Sequence, residues 1–286
     1  MSALIDAHCH LTSEEEYERA GGVQNVLAAA KAAGVETLIV SGYDLPSSKS
    51  ARELAENNDG VFFCAGFQPE EIKKYETGEA DYYCAEEELK KLLTHKKCVA
   101  VGEIGLDYHF PDNPSKSFQR EIFKRQIELA YHAALPVVIH SRDACADTLE
   151  ILNEEREKLG KGFLMHCFSY SAETAAEFAA LGAYFSFGGT VTFKKAEKTA
   201  RAAIAVPKDR ILTETDSPYL SPEPLRGNFP NTPANVGYVT RRLAALRGEK
   251  EEELRAQINK NAARLFFATA NNKSGESERL RGNING

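Results

Sequence analysis

The sequence predicts an α/β protein, a single-domain (β/α)8 TIM barrel, on three observations. Eight short apolar runs rich in β-branched residues alternate with longer stretches whose apolar positions recur every three or four residues, the mark of repeated βα units. The chain has 286 residues, 43% of them hydrophobic and 27% charged, which is the composition of a globular protein with one sizeable core. Barrels of this class reach ~250 residues as one unit. No Pro/Gly/Ser-rich linker separates two self-sufficient halves.

Taken in order, the strands are LIDAH (4–8), ETLIVS (36–41), VFFCAG (61–66), CVAVGEI (98–104), PVVIH (136–140), GFLMHC (162–167), AYFSF (183–187) and RILTET (210–215). The helix over 116–134 carries Phe118, Ile122, Ile127, Ala130 and Ala134 on one stripe, with Arg120, Lys124 and Arg125 on the other face. Gly34, Gly60, Gly160 and Gly182 stop helices just before a strand begins. Asp143 suits the N-cap of the helix that follows the fifth strand. Helices at about 234–246 and 251–270 close the ring. The barrel therefore spans 1–270, and 271–286, poor in large apolar groups, reads as a disordered tail. The segment 68–88 is an acidic insertion after the third strand, with eight acidic residues against two lysines.

Charge narrows the function. The balance of 35 Lys+Arg against 42 Asp+Glu leaves −7, so a polyanionic substrate needs a local basic site and broad clamping of duplex DNA is disfavoured. No apolar run approaches the ~20 residues needed to span a bilayer, and the start lacks an export signal, so no membrane partner is expected. The six cysteines are scattered without a close pair and read as buried free thiols of a cytoplasmic protein. No GxxxxGK, GxGxxG or GxSxG motif is present, so a nucleotide cofactor and a serine nucleophile lose their support.

Metal-binding side chains recur at the carboxyl ends of the strands, which in such a barrel all open on the catalytic face. His8 and His10 end the first strand, two apart and so on one side of an extended chain. Glu103 ends the fourth, His140 the fifth and His166 the sixth, while the eighth runs into Asp216. A lone histidine at a strand end is more often a hydrogen-bonding residue. Here four of the seven histidines, a glutamate and an aspartate coincide at one topological level. Four imidazoles and two carboxylates supply three or four donors to each of two divalent ions if one carboxylate bridges, and Glu103 lies between the two histidine pairs. The mixed nitrogen and oxygen set suits Zn, Mn, Fe or Ni better than Mg alone.

These segments carry a resemblance. DAHCHL (6–11), GEIGLDY (102–108), LPVVIHSRDA (135–144), HCFS (166–169), ETDSPYL (214–220) and NTPANV (231–236) resemble the TatD family of metal-dependent hydrolases and deoxyribonucleases, in the amidohydrolase superfamily of barrels. The resemblance runs from the first strand to the last helices. It implies one metal at His8, His10, Glu103 and Asp216 and a second at Glu103, His140 and His166, with Asp216 also accepting a proton from the attacking water. It departs from the family twice: Gly66-Phe67-Gln68-Pro69 stands where relatives commonly have GxHP, and Tyr170 stands where HCFSG is usual. A neutral amide cannot supply a histidine's charge or proton.

For substrate contacts, Arg142 sits two residues beyond His140, where its guanidinium could grip a phosphate or pair with Asp143 or Asp107. Tyr108, His109 and Phe110 follow the fourth strand and could stack a terminal base or pack in the core. Tyr170 could line the mouth, and Lys194, Lys195 and Arg226 could form a small basic rim. Glu214 faces the same side as Asp216 but deeper, as a supporting residue. The reading is a cytoplasmic deoxyribonuclease cutting DNA ends or single strands with two divalent metal ions. The alternative keeps the metals and takes a small carboxylic ester, lactone, amide or phosphotriester.

Overall fold

The structure, a computed structural model, describes residues 2–268. The tail expected over 271–286, like the last two residues of the final helix, lies outside them. Eight strands form one sheet in sequential order: β1 (Leu4–Cys9), β2 (Val35–Ser41), β3 (Val61–Ala65), β4 (Cys98–Asp107), β5 (Val137–Arg142), β6 (Phe163–Met165), β7 (Ala183–Phe187) and β8 (Ile211–Thr213). All seven ladders are parallel. With helices between the strands this is a nearly closed (β/α)8 barrel. Every residue of β4 is buried, as expected when helices cover the outside and packed side chains fill the inside. Among the described residues no helix is long and apolar enough to cross a membrane.

β6 and β8 are shorter than the sequence pattern implies, and the reason lies in buried carboxylates. Beyond Met165, the Cys167 amide donates to Glu214 Oε1 at 2.7 Å instead of continuing a ladder. Beyond Thr213, the Thr215 amide and hydroxyl donate to Asp6 at 2.9 and 2.5 Å. Two backbone bonds complete the join of β8 to β1: Asp216 N to His8 O at 3.0 Å and His10 N to Ser217 O at 2.7 Å. Buried amides must be paired, and here side chains pair some of them.

The helix Lys116–Ala133 starts where Ser115 accepts from the Phe118 amide and stops at Ala134 in a left-handed turn. Its inner face buries Ile122, Ile127 and Ala130 as the stripe predicts, together with Gln119 and Gln126. Those two amides anchor strand ends. Gln126 bonds both backbone groups of Phe67, and Gln119 those of Asp107. Gly105 is required where β4 crosses β5: its φ is +140° and an added Cβ would stand 2.0 Å from His140 O.

Within the acidic 68–88 segment Pro69–Ile72 and Lys73–Glu76 are short helical turns, and its end is the first half of the helix Tyr82–Leu93, which buries Tyr82, Ala85 and Leu89. Some local expectations are corrected. The left-handed glycine before β6 is Gly162, not Gly160. Asp143 does not cap a helix. Its own φ is +52°, the following helix Cys145–Glu154 starts from Ala144 without a side-chain cap, and its carboxylate faces His109 instead. The last helix is α-helical over Glu251–Ala262 and then widens to a π turn at Ala263–Phe267. Cys9, Cys64 and Cys98 are buried thiols, whereas Cys84 is exposed and Cys145 and Cys167 are half-buried.

Candidate metal centre

The six side chains singled out in the sequence meet at the carboxyl end of the barrel in two sets. In the first, His8 Nε2 and His10 Nε2 lie 3.1 Å apart. Asp216 Oδ1 is 3.6 and 3.4 Å from them, and Glu103 Oε2 is 3.3 and 3.5 Å away. In the second, Glu103 Oε1 is 2.9 Å from His140 Nδ1 and 3.0 Å from His166 Nε2, which are 3.3 Å from each other. Glu103 thus turns one oxygen to each set. His8, Glu103 and His166 also converge closely enough for one ion, so the sets adjoin.

The outward side of the cluster is tied down. His8 Nδ1 meets Ser41 Oγ at 3.2 Å, His10 Nδ1 meets the Ser41 carbonyl at 3.1 Å, and His140 Nε2 meets Asp107 Oδ2 at 2.9 Å. His166 Nδ1 is buried without a hydrogen-bond partner, 3.7 Å from Glu214, whose carboxylate accepts from the Ser186 hydroxyl. With the outer nitrogens of His8, His10 and His140 engaged, their inner ones are left to point lone pairs at the centre. Glu103 Oε2 is buried without a hydrogen-bond partner. An orphaned carboxylate oxygen facing converging imidazoles is the donor arrangement that a divalent cation satisfies, so the residues fit a metal.

Electrostatics agree. Burial pushes the Glu103 carboxyl up, but the positive charge of His166 and the adjoining His140 outweigh it and hold it well below the usual range. Burial opposes ionisation of Asp216 too, yet the hydrogen bond with His10 and the neighbouring histidine charges bring it down to about 2. Burial would lower His140, but Asp107 and Glu103 carry it up to about 9. The field of the carboxylates therefore demands positive charge at this point.

The cluster forms the floor of a cavity of about 690 Å³. Arg142 lines it, with its guanidinium 4.9 Å over the Phe110 ring and, among the described residues, no ion pair to Asp107 or Asp143. Gln68 reaches Glu103 Oε1 with its amide at 3.4 Å. Other predicted contacts are not brought to the lining. The Tyr108 hydroxyl donates to Asp147 at 2.7 Å, and Lys116 lies over its ring. His109 is exposed beside Asp143. Tyr170 turns inward, its hydroxyl bonding Ser141 and the Ala144 amide, so it ties the β5 and β6 loops together. Arg226 lies over Phe193, and Lys194 and Lys195 are exposed away from the cavity.

Sequence reasoning missed Asp6, Asp107 as the partner of His140, and Ser41. Strand period held a signal for two of them: Asp6 is two residues before His8, and Asp107 four after Glu103, each on the same side as its ligand neighbour. Ser41 had none.

Comparison with known proteins agrees with the motif resemblance. A family model described as TatD related DNase matches residues 5–267. The uncharacterized metal-dependent hydrolase YabD of Bacillus subtilis is 41% identical over 263 residues, covering 92% of this chain and 98% of that protein. A Cronobacter sakazakii protein named 3'-5' ssDNA/RNA exonuclease TatD is 32% identical over 272 residues, covering 93% and 99%. Among solved structures, the TatD homolog YJJV from Escherichia coli k12 matches with a TM-score of 0.81 at 30% identity, covering 92% of this chain and 97% of that one. The chain belongs to the TatD family of metal-dependent hydrolases.

Proposed function

We propose that this protein is a nuclease that cleaves phosphodiester bonds at DNA ends or in single strands. The observation that carries the reading is Glu103, buried, ionised and turned to two donor sets at the floor of an open cavity. His8, His10, Glu103 and Asp216 would hold one divalent cation, and Glu103, His140 and His166 a second. Bound there, the cations supply Lewis acidity toward a phosphoryl oxygen and lower the pKa of a water. Asp216 is ionised and 14% exposed to the cavity, so its carboxylate accepts the proton of an attacking water. Arg142, the only lysine or arginine among the described residues lining the cavity, grips the non-bridging phosphate oxygens. Supporting the reading is the name of the Cronobacter sakazakii relative, a single-strand exonuclease.

The test is to follow end-labelled single-stranded DNA with Mn- or Mg-loaded protein, an EDTA control and Asp216→Asn. Metal-dependent loss of terminal nucleotides, abolished by the substitution, is expected. Intact DNA overturns the reading. A second reading, a small ester, lactone or phosphotriester substrate, is favoured by one observation: Glu16, Glu70 and Glu71 line the cavity against a single arginine. Turnover of a small ester without action on DNA would select it.

A further inference from the structure

Two aromatic surfaces flank the metal centre and stay exposed although each is held by its neighbours. Phe110 lies beyond β4 and leaves 44% of its surface exposed. Tyr219 lies beyond β8 and leaves 50% exposed, and both line the cavity. In a sequential ring of eight strands, β4 and β8 are diametrically opposed, so the loops that carry the two rings leave opposite sides of the barrel. Each is held in place. Phe110 packs against the Arg142 guanidinium and the edge of His109. Tyr219 donates its hydroxyl to Glu16 at 2.8 Å. Phe229, 47% exposed, extends the second surface, with its ring 6.4 Å from that of Tyr219.

Charge at the same mouth favours little else. One guanidinium faces three carboxylates, Glu16, Glu70 and Glu71, so tracking along many phosphates is repelled. Large apolar groups left exposed around a polar pocket mark a binding surface. Each base stacked on an aromatic side chain strengthens affinity by roughly five- to a hundredfold, irrespective of its identity.

Resting on the nuclease reading, we propose that these are stacking platforms for the two bases flanking the scissile phosphate, Phe110 for one and Tyr219 with Phe229 for the other. The enzyme thus grips an unpaired strand end by its bases, with Arg142 the one lysine or arginine among the described lining residues to meet a phosphate.

The test uses metal-loaded full-length protein, a labelled single strand and a strand made abasic at its last two positions. Phe110→Ala and Phe229→Ala should each raise KM for the normal strand about tenfold with kcat within about twofold, and Phe229→Trp should restore it. On the abasic strand the wild type should already show the raised KM, and the alanine variants should add nothing. Affinity should fall with salt at a log–log slope of about −0.7, the value for one released counterion on a single strand. A wild type that degrades DNA while KM ignores both alanine changes, or while the slope is about −3 or steeper, overturns the platforms and spares the nuclease reading. A wild type that leaves both strands intact overturns the two together.

Discussion

The two halves of the candidate metal centre are built on different scaffolds. Glu103, His140 and His166 project from β4, β5 and the end of β6, where the β4–β5 register shifts between Val101 and Ile104, with Gly105 opposite His140 and the His166 amide bonded to Ile139 O. His8, His10 and Asp216 straddle the seam between β1 and β8, where the Asp6 carboxylate takes over part of the pairing. The first half leans on Glu214, which takes the Cys167 amide, and the second on Asp6, which takes the Thr215 amide, so the two halves should respond to different substitutions.

The largest effect is expected where the halves join. Glu103→Gln replaces a carboxylate shared by both sets with an amide that turns N–H donors toward one of them. Turnover should drop on the order of 10³-fold, because Lewis-acid stabilisation is worth several kcal/mol. Elemental analysis should find both ions depleted. Wild-type metal content in that variant would break the idea of a shared carboxylate.

Asp6→Ala should come next and act on the seam. Leaving the buried Thr215 amide and hydroxyl unpaired costs about 3 kcal/mol, which lowers Tm by about 5 °C in a chain this long. Metal affinity should weaken in the seam half first, resolved by titrating the variant in the background of His140→Ala. Equal weakening of both halves would show that the seam does not act locally.

The smallest effects distinguish the outer supports. Asp107→Asn removes the charged partner of His140 and should cost about 10- to 100-fold in metal affinity. Ser41→Ala deletes only a hydroxyl beside His8, while the Ser41 carbonyl still holds His10, so its cost should stay below about tenfold. Isothermal titration with Mn or Zn measures both, and a reversed order would mean that the seam half is the more dependent on outer hydrogen bonds.

Legibility followed the same division. All eight strands and the six converging side chains could be read from the chain because a strand repeats every two residues and shows its apolar runs directly. The ends of β6 and β8 could not, since carboxylates distant in sequence, Glu214 and Asp6, finish their pairing. Loop side chains were read least well. Tyr108, His109 and Phe110 are consecutive, yet only Phe110 lines the cavity. Tyr170 is adjacent to the β6 motif but spends its hydroxyl on Ser141 and Ala144.

The sequence by itself determined the barrel and the level at which the histidines and carboxylates gather, since both follow from local periodicity and residue type, and the family through the motifs that resemble it. Tertiary structure alone decided which oxygen of Glu103 lies toward which histidines, that Asp6 and Asp107 support the cluster, and which aromatic rings line the cavity. Those depend on side chains brought together from strands up to 209 residues apart in the chain, and no local pattern records a contact of that range.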